Sequence, residues 1–427
     1  MEDFTEYVES IQQLVQPADL TPSVGWCDQL AQCLDGGPSR VLRAQSEQSD
    51  LKQQGVYFTG PRMALRLANA ALTRSASAIY YDPACGAGDL LLAIARKLSL
   101  ASNFQDTLRD WGERLAGCDI SADFVRLAKI RLALLAGKRC QSSPPFDLPN
   151  VAHWFPRIVV ADSLSDARHT PKADVVVMNP PFGYVSAPAT CDWANGRVNA
   201  AALFATRAIR DLRPGSRIVA ILPEVLRSGT RYIAWRESVL ASGNVLSERS
   251  LGLFDPWTDV DVYLLHFEKT SAKRRSKQSP TRVPNGGIGK RFHVHVGSVV
   301  PHRHLQEGAS VPYLHARSIP GWTESGDMPE TRKFGGRLFQ PPFVTIRRTS
   351  RPDDGKRAVA TVILGDDAVA VENHLIVCLP KDGTANTCRE LMRRLRSKKT
   401  DDWLNSHQRC RHLTTRIVAH IPWWYKP

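Results

Sequence analysis

Ala173-Asp174-Val175-Val176-Val177-Met178-Asn179-Pro180-Pro181-Phe182-Gly183-Tyr184 is the stretch that decides the fold of this 427-residue chain. Its unbroken run of β-branched residues, with no polar alternation, reads as a strand buried on both faces in the middle of a parallel sheet covered by helices. Asn179 then falls at the strand's carboxyl end, the edge outside which open α/β sheets bind their ligands. Pro180 and Pro181 fix φ and carry no amide donor, so the turn presents bare carbonyls. Together with the Asn179 side-chain oxygen these supply two acceptors, matched to the two N–H groups of an exocyclic amine. Phe182 adds a flat face for a planar base. The plainer reading of the same residues is a strand-ending Asx-Pro turn followed by a core phenylalanine.

The sequence on either side continues the alternation of strands and helices. Upstream, Ile79-Tyr80-Tyr81-Asp82-Pro83-Ala84-Cys85-Gly86-Ala87-Gly88-Asp89 followed by Leu90 to Ala95 reads as strand, glycine turn and helix. Small residues at 84, 86, 87 and 88 let a ligand approach the backbone, and a helix opening near Asp89 points amide N–H groups toward it, a setting for a carboxylate. Leu115 to Ile120 is a second strand, ending in Asp119, which can accept both hydroxyls of a ribose. The gap from Asp82 to Asp119 exceeds the usual ~20 residues, so 99–114 reads as an inserted helix or loop. Ser121 to Leu135 is a helix, and Arg157 to Asp162 a short strand whose terminal Asp162 can accept a hydrogen bond from an adenine amino group. Each of these aspartates also suits a helix N-cap. Arg62 to Leu72 reads as a helix opened by Pro61, Ala200 to Leu212 as another, and Arg217 to Pro223 and Val262 to Phe267 as strands.

Charge is unevenly distributed. The net formal charge of +14 comprises −1 over residues 1–270, +6 over 271–290 and +9 over 291–427. A near-neutral body joined to a basic second part suggests catalysis coupled to a polyanion-binding module. The boundaries fall at 1–50, a helical lead-in; 51–270, the α/β body; 271–290, a basic linker marked by Lys273-Arg274-Arg275-Ser276-Lys277 and Gly286-Gly287; and 291–427, a mixed α+β domain. In that last domain Phe343 to Arg347 and Ala358 to Leu364 read as strands and Leu391 to Arg396 as part of a basic helix. Nine cysteines form no CxxC pair, so neither a zinc site nor a disulfide framework is indicated, and a reducing cytoplasm fits. The N-terminus lacks a basic start with an apolar run, and no stretch approaches the ~18 apolar residues of a membrane span. A soluble cytoplasmic protein without a metal is expected.

Taken in order, Tyr57-Phe58-Thr59, Asp82-Pro83-Ala84-Cys85-Gly86-Ala87-Gly88, Asp119-Ile120, Asp162 and Asn179-Pro180-Pro181-Phe182 resemble the motifs of gamma-class N6-adenine DNA methyltransferases, the modification methylases of restriction-modification systems. The match covers roughly residues 50–270. The resemblance implies a Rossmann-like S-adenosylmethionine-dependent methyltransferase domain, followed by a C-terminal target recognition domain that binds DNA. It implies that Tyr57, Thr59 and the loop carrying Asp82, Pro83, Ala84, Gly86 and Gly88 surround the methionine part of S-adenosyl-L-methionine. Asp119, with Ile120 beside it, would lie at the ribose and Asp162 at the adenine. Asn179 and the Pro180 carbonyl, ahead of Pro181, would hold the amino group of a flipped-out adenine, with Phe182 stacked on it. Phe254, in Leu253-Phe254-Asp255-Pro256, resembles the aromatic that packs on the target base in this class; a core phenylalanine is the competing reading. Double-stranded DNA is the implied partner, with a separate restriction endonuclease as companion. Gly60 departs from the pattern by interrupting the Thr-Pro of the first motif.

Three rivals stay in view. The same Asn-Pro-Pro motif serves enzymes that methylate an RNA base or a protein glutamine, although the early Tyr-Phe-Thr loop and the basic C-terminal part argue against these. A noncatalytic DNA-binding subunit would carry a broken glycine loop or a broken amine-and-ring clamp, the Asn179-Pro180-Pro181-Phe182 run, and both are intact. Cytosine ring methylation needs a Pro-Cys nucleophile, whereas Cys85 belongs to the glycine loop.

Overall fold

The computed structural model describes residues 2–14, 24–45, 59–142, 151–165, 173–255, 260–271, 286–326, 328, 330–350, 354–408 and 412–423. It divides into two compact units: Met1–Arg227 with Arg231–Lys277, and Ser228–Thr230 with Gln278–Pro427.

Among its described residues the first unit is built on nine strands: β1 (Tyr80–Asp82), β2 (Leu115–Asp119), β3 (Ile158–Val160), β4 (Val175–Met178), β5 (Tyr184–Ser186), β6 (Arg197–Asn199), β7 (Arg217–Pro223), β8 (Gly243–Leu253) and β9 (Asp261–Lys269). Seven of them form one sheet in the order β3-β2-β1-β4-β7-β9-β8. Pairing is parallel from β3 through β7, and β9 runs antiparallel to both β7 and β8. The chain therefore winds outward from β1 to β3, then returns to β4 on the other side of β1. That reversal opens a crevice between the carboxyl ends of β1 and β4, the position where doubly wound sheets take ligands. Asp82 ends one of these strands and Asn179 follows the other.

The valine run behaves as its composition requires. All four residues of β4 are buried, each contributing about 1.5–3 kcal/mol of burial free energy, and this fixes the frame from which Asn179 projects. Across the inserted stretch the chain forms a helix, Phe104–Arg114, capped by Asn103, whose side chain accepts from the Asp106 amide; its Trp111 is fully buried. The long helix Ala122–Arg139 is capped by Ser121, which accepts from the Phe124 amide. Three N-terminal helices, α1 (Glu2–Gln13), α2 (Val24–Leu34) and α3 (Gly37–Gln45), bury Phe4, Val8, Ile11, Leu30, Cys33 and Leu34 in the same core as the sheet.

The second unit carries a five-stranded mixed sheet, a separate three-stranded sheet and three helices among the described residues. Strands Phe343–Arg347 and Ala360–Ile363 fall where the sequence placed them. The basic helix runs from Ala385 to Leu395, and several cations on or beside it serve the unit's own packing. Arg389 pairs with Glu324 at 2.8 Å, and Arg394 and Arg291 lie 4.1 and 4.9 Å from the centre of the Trp423 ring. Among the described residues of the whole chain, no helix is long and apolar enough to cross a membrane.

Candidate active site

At the end of β4, Asn179 is held with its side chain 9% exposed, and its Nδ2 donates to Thr59 Oγ1 at 2.8 Å. Thr59 is itself buried and stands just before the helix Pro61–Ala71, with Gly60 at the N-cap. A Cβ at Gly60 would meet nothing within 4 Å. The interruption of the Thr-Pro pattern therefore leaves the Thr59–Asn179 contact intact. With Nδ2 committed to Thr59, the amide oxygen is the other polar end of the side chain, and it is buried. Pro180 is buried and Pro181 half-buried.

Phe182 and Phe254 come together although 72 positions separate them. Their rings meet edge to face, centroids 5.4 Å apart and planes at 87°, and both are more than 90% buried. Phe254 sits immediately past β8, and its amide donates to the Val260 carbonyl at 2.8 Å. Arg43, on α3, pairs with the neighbouring Asp255 at 2.6 Å. The backbone after the clamp is fixed by Asn199, whose Nδ2 donates to the Phe182 carbonyl at 2.7 Å. Asn199 also caps helix Ala200–Asp211, accepting from the Ala201 amide, and its own amide donates to the Tyr232 hydroxyl at 2.9 Å.

The glycine turn between β1 and the helix Asp89–Ala95 adopts the backbone its residues permit. Gly86 and Gly88 have φ of +50° and +85°, a region that costs other residues strain. A Cβ at Gly88 would also lie 2.9 Å from that of Ala128. Asp119, at the end of β2, accepts the Gly86 amide at 2.9 Å through one oxygen and the Ser121 amide at 2.9 Å through the other. Because Ser121 supplies the helix cap, Asp119 is released from that duty and ties the second strand to the glycine turn. Ile120 beside it is 76% exposed, an apolar side chain at the carboxyl edge of an otherwise buried strand. Asp82 is fully enclosed, accepting the Ala84 amide at 3.1 Å. Burial pushes its carboxyl up to about 8; the Ala84 N–H opposes the shift and the nearby Asp119 and Asp89 add to it. Burial likewise raises Asp119, against the pull of the Ser121 and Gly86 amides. Pro83 is buried with its carbonyl accepting from Ser163 Oγ at 2.8 Å, and Ala84 is half-buried.

Asp162 is exposed just past β3. One oxygen accepts the Leu164 amide and the other the Ser165 hydroxyl, each at 2.9 Å, so its local role is to close a turn. Tyr57 lies outside the described residues. A buried cation that the sequence reading missed stands under the glycine turn. Arg131 on the long helix, 1% exposed, donates to the Ala87 carbonyl at 2.5 Å, to Asp89 at 2.8 Å and to the Cys33 carbonyl of α2 at 2.9 Å.

Strand order, glycine turn and Asn-Pro-Pro-Phe end define a Rossmann-like methyltransferase domain with a mixed α+β second unit. Residues 41–278 match the model of the N-6 DNA Methylase family, and the chain belongs to that family. Among solved structures it is similar to the type IIL restriction-modification enzyme MmeI, a structure in complex with DNA, with a TM-score of 0.50 and 12% identity over 95% of this chain and 66% of that one. It is similar also to a protein from Listeria monocytogenes described as a class I S-adenosylmethionine-dependent methyltransferase, with a TM-score of 0.45 and 14% identity over 65% of this chain and 83% of that one. A third is the modification subunit of a type I restriction enzyme from Vibrio vulnificus YJ016, with a TM-score of 0.41 and 20% identity; the match covers 55% of this chain and about half, 49%, of that one. No curated protein matches the sequence.

Proposed function

We infer that this protein transfers a methyl group from S-adenosyl-L-methionine to the N6 amino group of a flipped-out adenine in double-stranded DNA, as the modification activity of a restriction-modification or related defence system with a separate endonuclease. The observation that carries this reading is the placement of Asn179, bonded to Thr59, at the crevice between β1 and β4, with Phe182 three positions on and packed against Phe254.

The adenine amino lone pair is delocalised into the ring and is a poor nucleophile. Asn179 Oδ1 and the Pro180 carbonyl, accepting from the two N–H groups, draw the nitrogen toward a tetrahedral shape and return the lone pair to it. No general base is needed before transfer. Holding the nitrogen in line with the methyl group accounts for as much as about 7–11 kcal/mol of the barrier. Extruding a base costs a few kcal/mol, and stacking on Phe182 with Phe254 beside it returns about 1–3 kcal/mol.

The residues present suit the cofactor. Tyr57, Thr59 and the turn with Asp82, Pro83, Ala84, Gly86 and Gly88 would surround its methionine part, Asp119 would accept from the ribose hydroxyls, and Asp162 from the adenine amino group. The exposed Ile120 side chain gives that adenine an apolar face. When bound, the cofactor supplies an electrophilic sulfonium methyl. Residues 51–270 would form the catalytic domain and 291–427 the target recognition domain, whose net charge of +9 suits DNA phosphates.

Incubation with labelled S-adenosylmethionine and duplex DNA, RNA or protein in parallel, followed by nucleoside analysis, tests the reading. N6-methyladenine in DNA is the expected product, and mapping it gives the recognised site. Label confined to RNA or to protein glutamine would overturn it.

A further inference from the structure

Immediately after the clamp the chain makes a two-stranded ribbon, β5 with β6, pairing Tyr184 with Asn199, Val185 with Val198 and Ser186 with Arg197. Opposed residues share a face, so Tyr184, Ser186, Arg197 and Asn199 lie on one side and Val185 and Val198 on the other. Burial follows strand rather than face: in β6 Val198 and Asn199 are buried and anchor the ribbon, while Val185 on β5 is 40% exposed. On the first side, Tyr184 is 48% exposed, and Ser186 and Arg197 are exposed too.

The ribbon is stiff. Ala187 N–H donates to the Gly196 carbonyl at 2.8 Å, Arg197 donates to the Tyr184 carbonyl at 2.7 Å, and Arg231 ties down the Asn195 and Arg197 carbonyls at 2.9 and 2.7 Å. Trp193, in the connecting loop, is buried against Tyr232 with ring centroids 6.0 Å apart. At its near end the ribbon joins the clamp through Asn199, which holds the Phe182 carbonyl. Tyr184 is five positions from Asn179, so the two Cα atoms lie within about 17 Å of each other.

A half-exposed aromatic on a rigid ribbon, flanked by two exposed guanidinium groups, is poorly suited to solvent and well suited to a stacked polyanion. We propose that the β5–β6 ribbon is the element that engages the DNA strand beside the extruded adenine, with the Tyr184 ring stacking on the base exposed by the gap and Arg197 and Arg231 facing the flanking phosphates. This rests on the methyltransferase reading above. The occupant is duplex DNA next to an extruded base, because the cations complement phosphate and the aromatic face complements a base that has lost its neighbour.

The test compares the full-length wild-type protein with Tyr184→Ala, Tyr184→Phe and Arg197→Ala on two duplexes carrying the mapped site, one with the target adenine paired and one with it opposite an abasic position. Y184A should lose at least about tenfold in kcat/KM on the paired duplex and less than about threefold on the abasic one, where extrusion is already inexpensive. Y184F, which keeps the ring, should recover most of the paired-duplex rate lost in Y184A. R197A should lower the dependence of log affinity on log salt by about one phosphate contact. Equal losses for Y184A on both duplexes, or no loss on either, would overturn the ribbon's role while leaving wild-type methylation intact. Absence of methyladenine with the wild-type protein would instead remove the reading on which the proposal stands.

Discussion

Asn179 and Thr59 are joined side chain to side chain at 2.8 Å across 120 positions of sequence. The bond fixes which end of the Asn179 amide is left over, and in the proposed reaction an amide turned by 180° would offer a donor to a group that itself donates. Thr59→Val removes the acceptor while keeping the shape. A lost buried hydrogen bond is worth about 1–3 kcal/mol, so kcat for methyl transfer should fall between about 5- and 150-fold. Thr59→Ser should retain most of the activity. Single-turnover rates with saturating cofactor and DNA read this directly, and an unchanged rate in T59V would remove the orienting role.

The edge-to-face contact of Phe182 with Phe254 makes the second ring part of the first ring's setting. Phe254→Leu keeps most of the buried apolar volume, a change that usually costs less than about 1.5 kcal/mol of stability. It removes an aromatic contact worth about 0.5–1.5 kcal/mol and the face available to a base. A rate loss of about tenfold with little change in Tm is the expected outcome. Phe254→Leu and Phe182→Leu should be non-additive in a double-mutant cycle, since the rings touch. Strict additivity would mean that they act separately.

How much of this was legible beforehand depends on sequence distance. The glycine turn, the aspartates at strand ends and the Asn-Pro-Pro-Phe run are local strings, each read from its own turn chemistry, and the alternation around them gave the doubly wound sheet. Thr59 was legible as part of a motif, but its bond to Asn179 was not. Asn199 bears on Phe182 from 17 positions away, Arg131 reaches Cys33 across 98, and Arg43 reaches Asp255 across 212. Nothing in the periodicity of a helix predicts that one of its arginines points inward; Arg131 is surrounded in sequence by apolar neighbours that bury it for their own reasons. The N-terminal helices read only as packing. In the structure they also hold the glycine turn through Cys33 and the residue after Phe254 through Arg43.

Asp82 gives the apoprotein a pH signature. Its carboxyl is raised to about 8, chiefly by burial, so the folded state keeps a proton that the unfolded chain, with a pKa near 3.9, releases. The sign follows: stability associated with this group is fully present at acid pH and is lost progressively as pH rises from about 4 toward about 8. Asp82→Asn removes the titration. The Tm difference between D82N and wild type should therefore grow in favour of the variant between pH 5 and pH 8. A cationic cofactor beside the ionised carboxylate would release the proton, so its affinity should rise with pH over the upper part of that range. Calorimetry in buffers of different ionisation enthalpy would show the proton release. A pH-independent Tm difference would mean that Asp82 is already ionised in the folded protein.

Arg131 is held by three acceptors from two directions: the Ala87 carbonyl and Asp89 on the glycine turn, and the Cys33 carbonyl on α2. Removing the guanidinium leaves two buried carbonyls and a carboxylate without it, the situation in which breaking a buried pair costs about 3–5 kcal/mol. Lysine keeps the charge but has no planar fork and cannot serve acceptors on opposite sides at once. Arg131→Lys should therefore lose a large part of that stability in chemical denaturation, and should weaken cofactor binding more than DNA binding, because the Gly86–Gly88 turn loses the cation beneath it. Arg131→Met separates the two effects, since it restores apolar packing without serving any acceptor. If R131M recovers stability while cofactor affinity remains low, Arg131 positions the turn. If affinity recovers together with stability, its part is structural alone.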